Sequence, residues 1–157
     1  MTAVPKHRLV VLMADDDEDD RMFAQDAFEE SGLPYSLTFA NDGEVLIDYL
    51  NRCLEPDESS RSLLPDLILL DLNMPRKDGR EALREIKANP KLRHIPVVVL
   101  TTSSSQGDVY RSYDIGANSY ITKPVTFDAL VDVLNTLGKY WFSVVRLPRE
   151  GYSNNAG

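Results

Sequence analysis

Leu67-Ile68-Leu69-Leu70-Asp71 is the stretch on which the fold turns. Four aliphatic residues without polar alternation suit a short strand covered on both faces, as in a parallel sheet. The run then stops on an acid. The same shape recurs on either side of it. Upstream, Leu9-Val10-Val11-Leu12-Met13-Ala14 stops at Asp15-Asp16 and opens a run of six acids, Asp15 to Asp20. Downstream, Ile95-Pro96-Val97-Val98-Val99-Leu100 stops at Thr101, and the shorter Ser119-Tyr120-Ile121 stops at Lys123-Pro124. Ser36 to Ala40 supplies one more strand. Between these runs the apolar residues change to helical spacing: Met22, Phe23, Ala27 and Phe28, then Val45, Leu46, Tyr49 and Leu50, then Ala82, Leu83 and Ile86. Val109, Tyr110 and Tyr113 mark a fourth helix, and a last one starts near Thr126 and Asp128. Five strands alternating with five helices predict an α/β fold, a doubly wound five-stranded parallel sheet.

Composition narrows the function. The chain has 157 residues, 43% of them hydrophobic and 27% charged, which suits one domain with a substantial core. Asp plus Glu is 25 against 17 for Lys plus Arg, a net charge of −8. That balance argues against nucleic acid and against an anionic membrane surface as partners. A single cysteine, Cys53, excludes an internal disulfide and a Cys-based zinc site, and His7 and His94 are too few for a His-rich one. No apolar stretch is long enough to span a bilayer and no signal peptide is visible, so a cytoplasmic protein is expected. Arg52 to Pro65 reads as a long polar loop, and residues 148–157 as a disordered tail after a single domain over 1–147.

In an open α/β sheet the carboxyl ends of the strands share one edge, where ligands bind. Here that edge collects Asp15 and Asp16, Asp71, Thr101 and Lys123. Carboxylates brought together from separate strands repel one another, so a cation must offset them. All-oxygen ligation suits Mg²⁺ or Mn²⁺, commonly with phosphate completing the shell. A lysine can reach a phosphoryl oxygen as a point charge, and a threonine hydroxyl can donate to another. The remaining acids, Asp17 to Asp20, read as a cap and as charges favoured at a helix N-terminus. These residues point to a divalent-cation and phosphoryl site and leave open whether phosphate is bound or received.

The chain resembles the receiver domain of two-component response regulators. The likeness rests on VVLMADDDEDD from Val10, LILLDLNMPRKDGREAL from Leu67, PVVVLTTSSS from Pro96 and GANSYITKPV from Gly116, and extends over about Arg8 to Leu137. It implies a flavodoxin-like strand order 2-1-3-4-5. It implies that Asp71 accepts a phosphoryl group from a histidine kinase, and that Asp15, Asp16, Asp71 and the Asn73 carbonyl hold Mg²⁺. Thr101 would turn toward the phosphoryl group, Lys123 would contact it, and Pro124 would follow a cis peptide bond. Tyr120 would swing inward on activation, and Pro75 and Gly79 would shape the turn after the acceptor strand. Such a protein catalyses its own phosphorylation and slow dephosphorylation without being an ordinary enzyme. The resemblance departs where Asp17-Glu18 replaces the common Asn-Pro after the acid pair.

A narrower resemblance, through the long segment before Leu67 and the ending KYWFSVVRLP, is to stand-alone regulators of phytochrome-type histidine kinases. No effector domain is expected after Gly157, so output is expected through contact with a downstream protein, onward transfer to a histidine phosphotransfer partner, or a sink role. A phosphorylation-independent pseudo-receiver is the main alternative; a metal-dependent phosphatase usually needs an acid where Asn73 stands. The apolar positions Leu130, Val133, Leu134, Leu137, Trp141, Val144 and Val145 keep helical spacing through Gly138, predicting an extended last helix up to Pro148. That surplus of apolar surface predicts a homodimer contact through Leu137, Trp141, Phe142 and Val145, a region through which the phytochrome-linked regulators also pair; the alternative is that Trp141 and Phe142 fold back on the domain's own surface.

Overall fold

The computed structural model describes residues 8–55 and 64–148. The strands are β1 (Leu9–Ala14), β2 (Tyr35–Ala40), β3 (Leu67–Leu70), β4 (Val97–Thr101) and β5 (Ser119–Thr122). The helices are α1 (Glu18–Ser31), α2 (Gly43–Cys53), α3 (Gly79–Ala88), α4 (Gln106–Ile115) and α5 (Phe127–Lys139). All strand pairs are parallel, in the order β2-β1-β3-β4-β5. This is the predicted doubly wound, flavodoxin-like sheet. Most of the long polar loop (56–63), the tail from 149 on, and His7 lie outside the described residues.

Burial explains why the strand runs lack alternation. Leu12, Ala14, Ile68, Leu70, Val97 and Val99 face a core closed by Leu46, Leu50, Ala82, Leu83 and Ile86 of α2 and α3. Leu9, Val11, Met13, Leu67, Leu69, Val98 and Leu100 face the other core, closed by Ala24, Ala27, Phe28, Leu130 and Leu134 of α1 and α5. Successive side chains thus enter opposite cores, and both must be apolar.

Each helix starts on a side chain that caps it: Asp17, Asp42, Asp78, Ser105 and Thr126 each accept a backbone N–H of the first turn. Asp17 therefore plays the capping part expected of it. Every capped start follows a strand's carboxyl end, which places the helix N-termini around the same sheet edge as the acids.

The last helix runs on past α5 as a π-helical turn, Tyr140–Val144, with the Val145 N–H bonded to the Tyr140 carbonyl at 3.0 Å. The extension agrees with the sequence; its surroundings do not. Leu137 and Trp141, expected at a contact between copies, are buried in the chain's own second core. Gly138 lies at the close approach of α5 to α1. A Cβ there would meet the Phe28 ring at 3.1 Å, so glycine lets α5 close on α1, and Phe28 shares the core that holds Trp141. Phe142 and Val145 pack partly against that core, while Tyr140 and Val144 stay exposed.

Candidate functional site

Three residues just beyond strand ends are held by a continuation of the strand ladder. The Asp15 N–H donates to the Ala40 carbonyl at 3.0 Å, Asp71 to Ala14 at 2.9 Å and Lys123 to Thr101 at 2.7 Å. Because the chain order reverses between β1 and β3, the acids of Asp15-Asp16 and Asp71 flank the topological switch point of the sheet.

The side chains converge as the sequence predicts. Carboxylate oxygens of Asp15, Asp16 and Asp71 all lie within 4.8 Å of one another. Asp15 and Asp71 are buried and Asp16 is exposed. Lys123 is buried among them, its Nζ 2.7 Å from Asp15 Oδ2 and 3.4 Å from Asp71 Oδ2. The Asp17 N–H donates to Asp15 Oδ1 at 2.9 Å, and the Asn73 N–H to Asp71 Oδ1 at 3.3 Å. Burial pushes the Asp15 carboxyl up to about 6, against the opposing pull of its hydrogen bond to Lys123. Burial alone would lower the Lys123 ammonium; the Asp15 and Asp20 carboxylates outweigh it and hold Lys123 above its ordinary range. The acids outnumber the cation, and the free carboxylate oxygens are hard donors at one open edge. That donor set fits Mg²⁺ or Mn²⁺.

Thr101 is fully buried, and its Oγ1 has no hydrogen-bond partner among the described residues. A buried hydroxyl rarely stays unpaired without a reason. Tyr120 is turned inward: its hydroxyl donates to the Ser103 carbonyl at 2.8 Å, while its N–H donates to the Tyr113 hydroxyl at 3.1 Å. The Lys123–Pro124 bond is trans, since no described peptide bond is cis. This corrects the expectation for Pro124; the two isomers of an X–Pro bond differ by only about 1 kcal/mol, so a proline alone does not impose cis.

The turn after Asp71 is tightly built. The Gly79 N–H donates to the Leu72 carbonyl at 2.8 Å. A Cβ on Gly79 would stand 2.2 Å from the Asp71 carbonyl oxygen. Arg76 takes a left-handed φ of 66°, and its Nε pairs with the Asp42 carboxylate at 3.1 Å.

Several contacts escape sequence reasoning. Asp20, read as a helix-end charge, lies 2.7 Å from Lys123 Nζ. Its third place in α1, one turn after the acid pair, was the only available cue. Arg80 forms a two-pronged pair with Asp108, Nε to Oδ1 at 2.9 Å and Nη2 to Oδ2 at 2.8 Å. Ser103 Oγ donates to the same Asp108 at 2.6 Å. The guanidinium and that hydroxyl hold the Asp108 carboxyl well below the usual carboxylate range. The pair ties the start of α3 to the start of α4 beside the site. No spacing rule links residues so far apart.

Comparisons with known proteins agree with this geometry. The family model described as response regulator receiver domain matches residues 11–135. The chain is 40% identical over 139 residues to the response regulator Rcp1 of Synechocystis sp., covering 88% of this chain and 92% of that one. It is 37% identical, over 88% of this chain and 87% of the other, to the probable methanogenesis regulatory protein FilR2 of Methanothrix harundinacea. Among solved structures it resembles the phosphorylated cyanobacterial phytochrome response regulator RcpA, with a TM-score of 0.84, 38% identity and coverage of 91% and 100%. The Mn²⁺-bound form of Rcp1 follows with a TM-score of 0.81, 39% identity and coverage of 89% and 99%.

Proposed function

Since the chain belongs to the response regulator receiver family and is related to phytochrome response regulators, we propose that Asp71 accepts a phosphoryl group from a histidine kinase. The observation that carries this reading is the placing of Asp71 at the end of β3, between the acid pair and the buried Lys123. Asp15, Asp16, Asp71 and the Asn73 carbonyl would hold Mg²⁺ or Mn²⁺. When bound, the cation supplies charge to offset the phosphoryl oxygens.

The chain's own residues do the rest. An Asp71 carboxylate oxygen attacks phosphorus in line; the O–P bond forms as the N–P bond to the kinase imidazole breaks, and the electron pair stays on the imidazole nitrogen. Lys123 donates to an equatorial oxygen, in a buried setting where its charge is poorly screened. Water later attacks the phosphorus; its O–P bond forms as the Asp71 O–P bond breaks, inorganic phosphate leaves, and the carboxylate returns, which ends the signal. Thr101 Oγ1 gains its missing partner only when a phosphoryl oxygen is present, so it favours the modified state differentially. Tyr120 and the β4–α4 segment would carry that change to a protein-binding surface.

Replacing Thr101 with Ala tests the switch separately from the chemistry. Asp71 should still be labelled, and the phosphorylation-dependent chemical-shift changes at Ser103 to Asp108 and Tyr120 should shrink. One lost hydrogen bond of about 1–1.5 kcal/mol would lower the equilibrium constant for switching about five- to tenfold. A full-sized response in T101A would remove Thr101 from the switch.

The kinase partner is proposed to be of phytochrome type, on the strength of the relatives above, and the output to pass to a downstream protein or a histidine phosphotransfer partner in the cytoplasm. We further propose a homodimer through the C-terminal turn. With Leu137 and Trp141 buried internally, its contact would rest on exposed Tyr140 and Val144, beside Phe142 and Val145. Sedimentation at micromolar concentration should give a dimer that Tyr140→Ala with Val144→Ala weakens at least about tenfold. A wild-type monomer would end the claim.

A further inference from the structure

We propose that Asp20 is a positioning residue for phosphoryl transfer, holding the Lys123 ammonium where it meets the incoming phosphoryl group. The inference rests on the reading of Asp71 as acceptor. A lysine ammonium has three donors. In Lys123 two are taken at 2.7 Å, by Asp15 Oδ2 and Asp20 Oδ2. The contact to Asp71 Oδ2 is 3.4 Å, longer than the usual charge-assisted bond. The donor facing Asp71 is thus the weakly engaged one, and it is the one a phosphoryl oxygen can take.

Asp20 is itself held in place. Its N–H donates to the Asp17 cap at 3.2 Å, and the Asp17 N–H donates to Asp15 Oδ1 at 2.9 Å. The start of α1 and the acid pair therefore form one unit, from which the Asp20 carboxylate reaches Lys123. Its side chain is 17% exposed, against 5% for that of Lys123. Asp15 is also among the residues that would hold the cation, which leaves Asp20 as the carboxylate dedicated to Lys123. Without it, Lys123 would turn its free donor to Asp71, neutralising the nucleophile and losing its aim.

The neighbouring Asp19 is exposed, so it provides a charge-matched control. The rate of Asp71 labelling is measured with acetyl phosphate as donor, the O–P bond forming as acetate departs with its electron pair, over a range of Mg²⁺ concentrations. The half-saturating Mg²⁺ concentration reads the general loss of negative charge in Asp20→Asn and Asp19→Asn alike. The maximal rate at saturating Mg²⁺ separates them: it should fall about tenfold in D20N, the worth of one charge-assisted hydrogen bond, and stay within about twofold of wild type in D19N. In a Lys123→Gln background, D20N should bring no further loss, since its effect acts through Lys123. Equal maximal rates for D20N and D19N would overturn the inference, as would an undiminished D20N effect in K123Q. A wild-type protein that takes no label at all would instead overturn the reading of Asp71.

Discussion

Asp71→Asn should abolish labelling from a kinase or a small phosphodonor while the protein remains folded. The amide cannot attack phosphorus, and loss of a nucleophile costs at least about three orders of magnitude in rate. The fold should survive because the substitution keeps the side chain's shape. The Asn73 N–H still has an oxygen to meet, and Lys123 keeps its two 2.7 Å bonds to Asp15 and Asp20. Removing one buried carboxylate also lessens repulsion with Asp15, so the thermal midpoint should hold or rise. Mass spectrometry of the intact protein, followed by peptide mapping, reads the result. A phosphoryl group taken up by D71N at the wild-type rate would move the acceptor to another residue. Asp15 is the nearest rival, but each of its oxygens already accepts a hydrogen bond, Oδ2 from Lys123 and Oδ1 from the Asp17 N–H.

Gly79→Ala should harm both stability and chemistry, because the added methyl has no room and no flexible neighbour. It would stand 2.2 Å from the Asp71 carbonyl oxygen and 2.7 Å from the Leu72 Cα, both backbone atoms. Overpacking of this kind costs about 2–3 kcal/mol. Relief must come from shifting α3 away or moving the peptide that carries Asp71. A displacement near 1 Å at a reacting group slows transfer about a hundredfold. Gly32→Ala is the control: Gly32 has a positive φ of 71°, and nothing lies within 4 Å of an added Cβ. That variant should lose about 1–2 kcal/mol from the left-handed backbone alone, with labelling unchanged. If G79A labels as fast as G32A, the turn does not position the acceptor.

The sheet was legible in the sequence because both of its faces are buried. Leu67 to Leu70 alternate between two cores, so every position had to be apolar, and the run stands out without any knowledge of partners. The acid-bearing edge was legible for a related reason. Parallel strands all end on the same side, so Asp15, Asp71, Thr101 and Lys123 had to converge once the strands were found. What stayed hidden was set by helices meeting across the fold. Asp20 contacts Lys123, and Arg80 grips Asp108, only because of where α1, α3 and α4 lie on the sheet. Trp141 was assigned to a contact between copies for the same reason: it is buried in a core shared by α1, α5 and three strands, which local spacing does not reveal. The trans bond at Pro124 had no local signature at all.

The pairing of the first and last helices bears on how the polypeptide is made. Lys123 meets Asp15 across a separation of 108 residues, and α5 closes the core that Ala24, Ala27 and Phe28 leave open. At about 5–20 residues per second on the ribosome, the wait for these contacts is roughly 5 to 20 seconds. During that wait the part of α1 that α5 covers stays open, and the acids at its start have no Lys123. The nascent chain therefore keeps part of its second core exposed until α5 emerges. It can finish folding only after α5 has emerged, so an early stop codon would leave an aggregation-prone fragment instead of a smaller working domain.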